Sequence, residues 1–245
     1  MPYSIPGTPY LILDSPERSV YPRSMARMAR VVAPGLPHHI TQRGNRRQQT
    51  FFHDEDYQTY IRLMAEWCSR LKVEVWAYCL MPNHMHLIAV PQSEEGLRRA
   101  MGEAHRRYTR QINFREGWRG HLWQGRFASF PMDESYLLAA ARYVELNPVR
   151  AKLVDRPEAY KWSSAVAHHE GRDDELVKVS PLLSLVGNWR EFLAQAAPQH
   201  QMEELRHHER TGRPLGGEGF VAKLEKALGR ILHRRKPGPK RKILN

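Results

Sequence analysis

Two histidines separated by one residue, His84 and His86, could together bind a divalent metal ion. Side chains two positions apart on a β-strand point to the same face, so both imidazole rings would project to one side of a strand. Imidazole is a common ligand for divalent transition ions, and a metal ion at an open site can act as a Lewis acid on a phosphate oxygen. The alternative is a structural role for the pair, because the chain contains 13 histidines.

A tyrosine and an asparagine four positions apart form a second candidate group. Residues i and i+4 share one face of a helix, so Tyr143 and Asn147 would point in the same direction. A phenol can act as a covalent nucleophile, but its ordinary pKa of about 10 means that a metal ion or a base must help to remove its proton. The amide oxygen of Asn147 could serve as a third metal ligand. Alternatively, Tyr143 packs in the core and Asn147 only caps the helix end.

Hydrophobic periodicity predicts the elements that would position these groups. Asp54 is a plausible N-cap of the first helix, and Asp133 of the last. Pro148 would end the last helix, because the residue before a proline avoids the helical region. The predicted elements are strands at 38–42, 73–81, 84–90 and 122–132, and helices at 55–71, 93–114 and 133–147.

The order strand, helix, strand, strand, helix, strand, helix predicts a fold class. It is the order of a ferredoxin-like split βαβ sandwich, an α+β fold with an antiparallel sheet. The last helix is then an addition to that sandwich, and it carries Tyr143.

The rest of the chain is expected to surround one such domain. Residues 1–27 form a proline-containing leader without periodicity, which we expect to be disordered. The domain itself would span residues 28–165, followed by a helical extension at 166–210 and by a C-terminal helix with a basic tail at 211–245. No run of apolar residues is long enough for a membrane span and no signal peptide is evident, so a cytoplasmic protein is expected. Cys68 and Cys79 are expected to be buried thiols.

The charge balance indicates a polyanionic partner. The formal net charge is +12, and each contact with a phosphate releases condensed counterions, which favours nucleic acid. Trp118, Trp123 and Phe127 could stack on bases of a single strand, or they could be core residues. The candidate DNA-binding residues, each of which could instead be an ordinary solvated side chain, are Arg43, Asn45, Arg46, Arg47, Arg106, Arg107 and Arg126.

Four segments carry a resemblance to a known family. Residues 82–87 (PNHMHL) resemble the His-hydrophobic-His motif of the HUH endonucleases. Residues 142–150 (RYVELNPVR) resemble the tyrosine-helix motif of their single-tyrosine transposase branch, and residues 41–46 (TQRGNR) and 122–127 (LWQGRF) match other segments of that branch in the same order. On these motifs the chain is identified as a member of the REP-associated tyrosine transposases, relatives of the insertion-sequence single-strand transposases.

The resemblance implies a role for each of the four candidate residues. Tyr143 would be the nucleophile, and His84 and His86 would bind Mg²⁺ or Mn²⁺. Asn147 stands where related enzymes place a polar third ligand, often glutamine. The partner would be single-stranded hairpin DNA of the REP type, bound by a monomer or a homodimer in the cytoplasm at the nucleoid.

The implied reaction is a transesterification that leaves a 5′-phosphotyrosine and a free 3′-hydroxyl, so that strands can later be rejoined. Two other functions compete with it. One is a DNA-binding regulator that keeps the fold without cutting, and the other is a metal hydrolase that uses the two histidines to activate water. Only the transposase requires a covalent protein–DNA adduct.

Deleting the basic tail at residues 233–242 (HRRKPGPKRK) should weaken DNA binding without changing its specificity. The tail adds phosphate contacts that carry no sequence information, so the affinity for all single strands should fall about equally and its salt dependence should become shallower. Binding titrations with hairpin and random single strands at several salt concentrations measure this. Loss of discrimination between the two DNAs would instead identify the tail as a recognition element.

Overall fold

Four strands form one antiparallel sheet in the order β2-β3-β1-β4. The computed structural model describes residues 28–195 and 198–233. The strands are β1 (His38–Arg43), β2 (Val73–Met81), β3 (His84–Pro91) and β4 (Ala128–Pro131). With one helix between β1 and β2 and another between β3 and β4, this is the ferredoxin-like split βαβ arrangement, so the predicted α+β fold is confirmed. The expected leader at 1–27 and the tail beyond residue 233 lie outside the described residues.

Helices cover both faces of the sheet and continue past it. In chain order, those of the described residues are α1 (Asp54–Arg70), α2 (Gly96–Glu116), α3 (Glu134–Glu145), α4 (Asn147–Arg150), α5 (Ala165–Glu170), α6 (Ser180–Leu183), α7 (Trp189–Ala194), α8 (Gln199–Thr211) and α9 (Glu218–Leu228). In the part of the chain that is described, no helix combines the length and the apolar character that crossing a membrane requires.

The alternation of side chains along β3 separates two cores. Met85 and Leu87 pack with α1 and α2 on one face, whereas Ile88 packs with α3 on the other. Because residues two apart share a face, His84 and His86 lie on the side of Ile88. The histidine pair therefore faces α3, the helix that carries Tyr143.

The last strand is shorter than predicted, beginning at Ala128 rather than at Leu122. Leu122 and Trp123 are buried in the core of α1 and α2, and only an isolated bridge between Gly44 and Trp123 pairs this segment with its neighbours. Gly125 follows with a φ of 61°, which breaks the extended backbone. The apolar residues there reflect burial of a loop and not strand pairing.

Two helix ends also differ from prediction. The N-cap of α1 is His53 rather than Asp54, and the Asp56 carboxylate accepts hydrogen bonds from the backbone N–H groups of Phe52 and His53 at 2.9 and 3.2 Å. Helix α3 ends at Glu145 and Pro148 lies in the first turn of α4, where its missing N–H has no helical partner to lose. The chain therefore continues in helical form past Pro148.

The C-terminal helices pack around α3 and the sheet. Helix α8 contacts α3, β4 and β1, and Leu205 of α8 is fully buried in the α3 core. Helix α9 instead packs on Val31 and Ala33, before β1. Cys68 and Cys79 are both buried free thiols, as predicted.

A buried carboxylate joins α3 to this extension. Glu145, the last residue of α3, is fully buried and accepts hydrogen bonds from Ser164 Oγ at 2.5 Å, His168 Nδ1 at 2.6 Å and Trp189 Nε1 at 2.8 Å. Three donors from α5, α7 and the residue before α5 thus converge on one side chain, two residues after Tyr143. Removing one partner from a buried charged contact of this kind lowers the free energy of unfolding by roughly 3–5 kcal/mol, because the remaining polar groups are left buried without a hydrogen bond.

Replacing Glu145→Gln should lower the free energy of unfolding by about 3 kcal/mol, since the amide leaves a single oxygen for three donors. Urea denaturation followed by circular dichroism measures the change. Glu170→Gln on α5 is the matched control, because its partner Arg172 is solvent-exposed and the pair contributes little. A loss below about 1 kcal/mol for Glu145→Gln would show that the three contacts are not coupled to stability.

Candidate active site

The two predicted metal-binding histidines lie side by side on the central strand β3. Their ring centroids are 5.1 Å apart. His84 Nδ1 lies 2.6 Å from the amide oxygen of Asn83, which can only accept, so Nδ1 donates and the lone pair of Nε2 remains available. A metal-binding histidine usually donates its second ring N–H to such an oxygen, so the geometry of His84 suits a ligand.

Tyr143 lies across from His86, on α3. The Tyr143 ring centroid is 5.6 Å from that of His86, and the side chain is 8% exposed. The Arg150 guanidinium lies over the phenol ring at 4.3 Å and also donates to the Tyr143 carbonyl oxygen at 2.7 Å. The structure therefore brings the candidate nucleophile, one candidate ligand and a positive charge together.

Opposing influences act on the Tyr143 phenol. Burial raises the pKa of Tyr143 and the charge of Glu209 raises it further, whereas Arg150 and Arg206 lower it. The net effect is a pKa above the ordinary value. Two arginines are thus not enough to make the phenol a ready nucleophile, and a further positive charge would be needed to favour the phenolate.

Asn147 is the first residue of α4 and is 9% exposed. The prediction of one helix that carries both Tyr143 and Asn147 is wrong, because α3 ends at Glu145 and a new helix begins after Leu146. Asn147 is buried, as Tyr143 is, and its role as a ligand stays a prediction.

Two residues that the sequence did not single out complete the cluster. His39 on β1 is fully buried and stacks on His86 with ring centroids 5.3 Å apart and an angle of 9° between the planes. Its Nε2 lies 3.2 Å from His86 Nδ1. Glu209 of α8 places Oε1 3.7 Å from His39 Nδ1 and 3.7 Å from His86 Nδ1. The three side chains each offer an atom within 4.8 Å of the others.

The sequence contained a signal for only one of these two residues. His39 shares a strand face with Thr41, which pairs with His86, so the register of β1 and β3 would have revealed it. Glu209 reaches the cluster only because α8 docks on β1, β4 and α3, and no local pattern encodes that docking.

Burial keeps the imidazoles neutral. It lowers the pKa of His39 to about 3 and, with help from Arg43, that of His84 to about 4. Burial together with the neighbouring His39 lowers the pKa of His86 well below its usual range. Neutral imidazole is the form that binds a metal ion. Burial also raises the pKa of Glu209 to about 7, against the opposing effect of Arg43.

Some of the candidate DNA-binding residues surround this cluster. Arg43 pairs with His84 across the two strands, and the exposed Arg46 and Arg47 follow in the turn that also contains the partly exposed Asn45. Arg126 lines a cleft that also includes Glu209. These residues could contact DNA phosphates next to the histidines.

The other basic candidates lie elsewhere. Arg106 and Arg107 project from α2, on the opposite face of the sheet, where Glu103 lies 2.6 and 3.8 Å from their guanidinium nitrogens. Among the aromatic candidates, Trp123 and Phe127 are 7% and 9% exposed and belong to the core, so the base-stacking alternative is wrong for both. Trp118 is 42% exposed and remains accessible.

Comparison with known proteins gives a family match for the segment that contains the histidines and Tyr143. The sequence model described as "Transposase IS200 like" matches residues 34–147, which include both strands of the histidine cluster and end at Asn147. No curated protein matches the chain.

One solved structure also resembles this chain in fold. A REP-associated tyrosine transposase bound to a REP hairpin is 21% identical, with a TM-score of 0.51 over 62% of this chain and 90% of that one. A protein from Deinococcus radiodurans R1 named as a transposase is 20% identical over 49% of this chain and 95% of that one, and its TM-score of 0.36 is too low to support an argument. Residues 34–147 are thus similar in sequence to the IS200-like transposases, and the ferredoxin-like fold of the chain agrees with that similarity.

Proposed function

We propose that the chain is a metal-dependent endonuclease and transposase that cleaves and rejoins single-stranded, hairpin-forming DNA of the REP type. The observation that carries the proposal is the Tyr143 phenol beside His86, under the Arg150 guanidinium, in a family of transposases. The solved structure with a related fold is described as bound to a REP hairpin, which supports the same class of DNA here.

The residues present fit a divalent cation. His84 offers a free Nε2 with its other nitrogen held by Asn83, and His86 is neutral and adjacent. Asn147 would add an amide oxygen, which gives the mixed nitrogen and oxygen set that Mn²⁺ or Mg²⁺ can accept. When bound, such an ion would supply Lewis-acid stabilisation of charge on the scissile phosphate.

The proposed reaction is a transesterification with balanced bond changes. The Tyr143 oxygen loses its proton and forms a bond to phosphorus, while the bond from phosphorus to the 3′ oxygen breaks and that oxygen takes up a proton. The product is a 5′-phosphotyrosine and a free 3′-hydroxyl. Because one ester replaces another, a 3′-hydroxyl can later attack the phosphotyrosine, rejoin the strand and release Tyr143.

The positions of the basic residues suggest how DNA would lie. Several basic and polar side chains border the histidine cluster and would hold the DNA phosphates next to the scissile phosphate. They are Arg43, Asn45, Arg46, Arg47 and Arg126. Arg106 and Arg107 face away from it on α2 and would contact only a remote part of the hairpin. We assign these functions to a domain at residues 28–165, with 166–210 as a helical extension and 211–245 as a C-terminal helix and tail, in a monomer or a homodimer.

Tyr143→Phe should abolish cleavage and the covalent adduct while leaving hairpin binding unchanged, since only the phenolic oxygen is removed. A labelled hairpin substrate that shifts with the protein on a denaturing gel reports the adduct. Tyr136→Phe, on the same helix and partly buried, is the matched control and should form the adduct normally. An adduct formed by Tyr143→Phe would refute the nucleophile, and binding without an adduct in the wild type would favour the non-cleaving regulator.

Removing the divalent metal ion from the wild-type protein should abolish DNA cleavage, as the Tyr143→Phe substitution should. EDTA should abolish cleavage, and added Mg²⁺ or Mn²⁺ should restore it to the wild type but not to His84→Ala, which lacks a ligand. His121→Ala, at an exposed position, is the control and should recover fully. Cleavage at an undiminished rate in EDTA would assign His84 and His86 a structural role.

A further inference from the structure

Two buried polar atoms beside Tyr143 lack any hydrogen-bond partner among the described residues. They are His39 Nδ1 and Glu209 Oε1. A buried acceptor without a partner loses its hydration without compensation, so such atoms are rare in folded proteins and call for an explanation. The two atoms face each other at 3.7 Å, which indicates that something absent from the chain belongs between them.

The spacing identifies what would fit. A hydrogen bond joins its heavy atoms at roughly 2.7–3.2 Å, so 3.7 Å is too long for direct contact. Nitrogen and oxygen ligands lie roughly 2.0–2.2 Å from a small divalent ion, and two ligands of one ion therefore stand about 3–4 Å apart. Glu209 Oε1 is 3.7 Å from His86 Nδ1 as well as from His39 Nδ1. The three side chains are spaced as ligands of a common ion.

We propose that Glu209, together with His39 and His86, binds a divalent cation next to Tyr143. The site would have two imidazole ligands and one carboxylate, and the His86 nitrogen that takes part is Nδ1. With Nδ1 as the ligand atom of both rings, each neutral imidazole would carry its proton on Nε2, so His39 Nε2–H would lose its present acceptor, His86 Nδ1, 3.2 Å away. The cation would also satisfy both unpartnered atoms and offset the cost of burying the Glu209 carboxylate.

This site differs from the metal site of the proposed function in its ligands, because its carboxylate comes from another part of the chain. Glu209 comes from α8, outside the family-matched segment at 34–147. Helix α8 is anchored by Leu205, which is fully buried, and by its contacts with α3, β1 and β4. The C-terminal extension would therefore complete a metal site whose histidines belong to the transposase domain. Its link to DNA cleavage rests on the proposed function, whereas binding of the ion does not.

The test is Mn²⁺ binding by the full chain without DNA, measured from the loss of the free-ion signal in electron paramagnetic resonance. Glu209→Gln keeps the shape of the side chain but removes its charge, and should weaken Mn²⁺ binding at least about tenfold, as loss of a ligand or its support typically does. Glu203→Gln, exposed on the same helix, is the matched control and should bind as the wild type does.

Thermal unfolding with and without Mn²⁺ shows whether weak binding by Glu209→Gln results from a folding defect. Mn²⁺ should raise the Tm of the wild type and of Glu203→Gln, because a ligand that binds only the folded state stabilises it, and should raise that of Glu209→Gln much less. Glu209→Gln with wild-type affinity would overturn the proposal. So would weakened binding in Asn147→Ala with normal binding in Glu209→Gln, since the amide would then complete the site.

The two proposals fail separately. Weak Mn²⁺ binding in Glu209→Gln combined with no covalent adduct in the wild type would support the cation site and contradict the transposase chemistry. Normal Mn²⁺ binding in Glu209→Gln together with a Tyr143-dependent adduct would contradict the cation site and support the transposase chemistry.

Discussion

The antiparallel register between β1 and β3 is the constraint on which the site depends. It sets Thr41 opposite His86 and Arg43 opposite His84, and it thereby stacks His39 against His86. A slip of one residue would turn every side chain of β3 to the other face and move the histidines away from Tyr143. Burial of the opposite face against α1 and α2 prevents that slip, because it would expose the apolar residues of the strand.

The tyrosine helix is held on its outer side by parts of the chain that lie beyond the transposase segment. Glu145, two residues after Tyr143, accepts hydrogen bonds from Ser164, His168 and Trp189. Helix α8 adds Glu209 to the histidine cluster. Because a buried carboxylate tolerates little movement of its donors, the extension fixes the position of α3, and through Glu209 it adds a carboxyl group to the histidine cluster. The extension therefore packs against both α3 and the histidine cluster.

The surroundings of Tyr143 disfavour the charged form of its phenol. Burial and Glu209 raise the pKa of the phenol more than Arg150 and Arg206 lower it. The neighbouring histidines cannot supply positive charge, since burial keeps His39 and His86 neutral at physiological pH. A divalent ion close to the ring would be the missing charge, and it would at the same time neutralise Glu209, whose effect on the phenol is unfavourable.

The sequence alone determined the order of the elements, the α+β fold and the likeness of the His84, His86 and Tyr143 segments to a transposase, because strand and helix periodicity and short motifs are local. The predicted start of β4 was wrong, and base stacking by Trp123 and Phe127 was wrong as well. A buried loop and a buried strand have the same apolar sequence pattern, so the sequence could not show that these residues lie in a buried loop. Only the tertiary structure brought in His39 and Glu209 and placed Arg106 and Arg107 on the far face. Those contacts depend on strand register and helix docking between distant segments, which no local spacing of residues encodes.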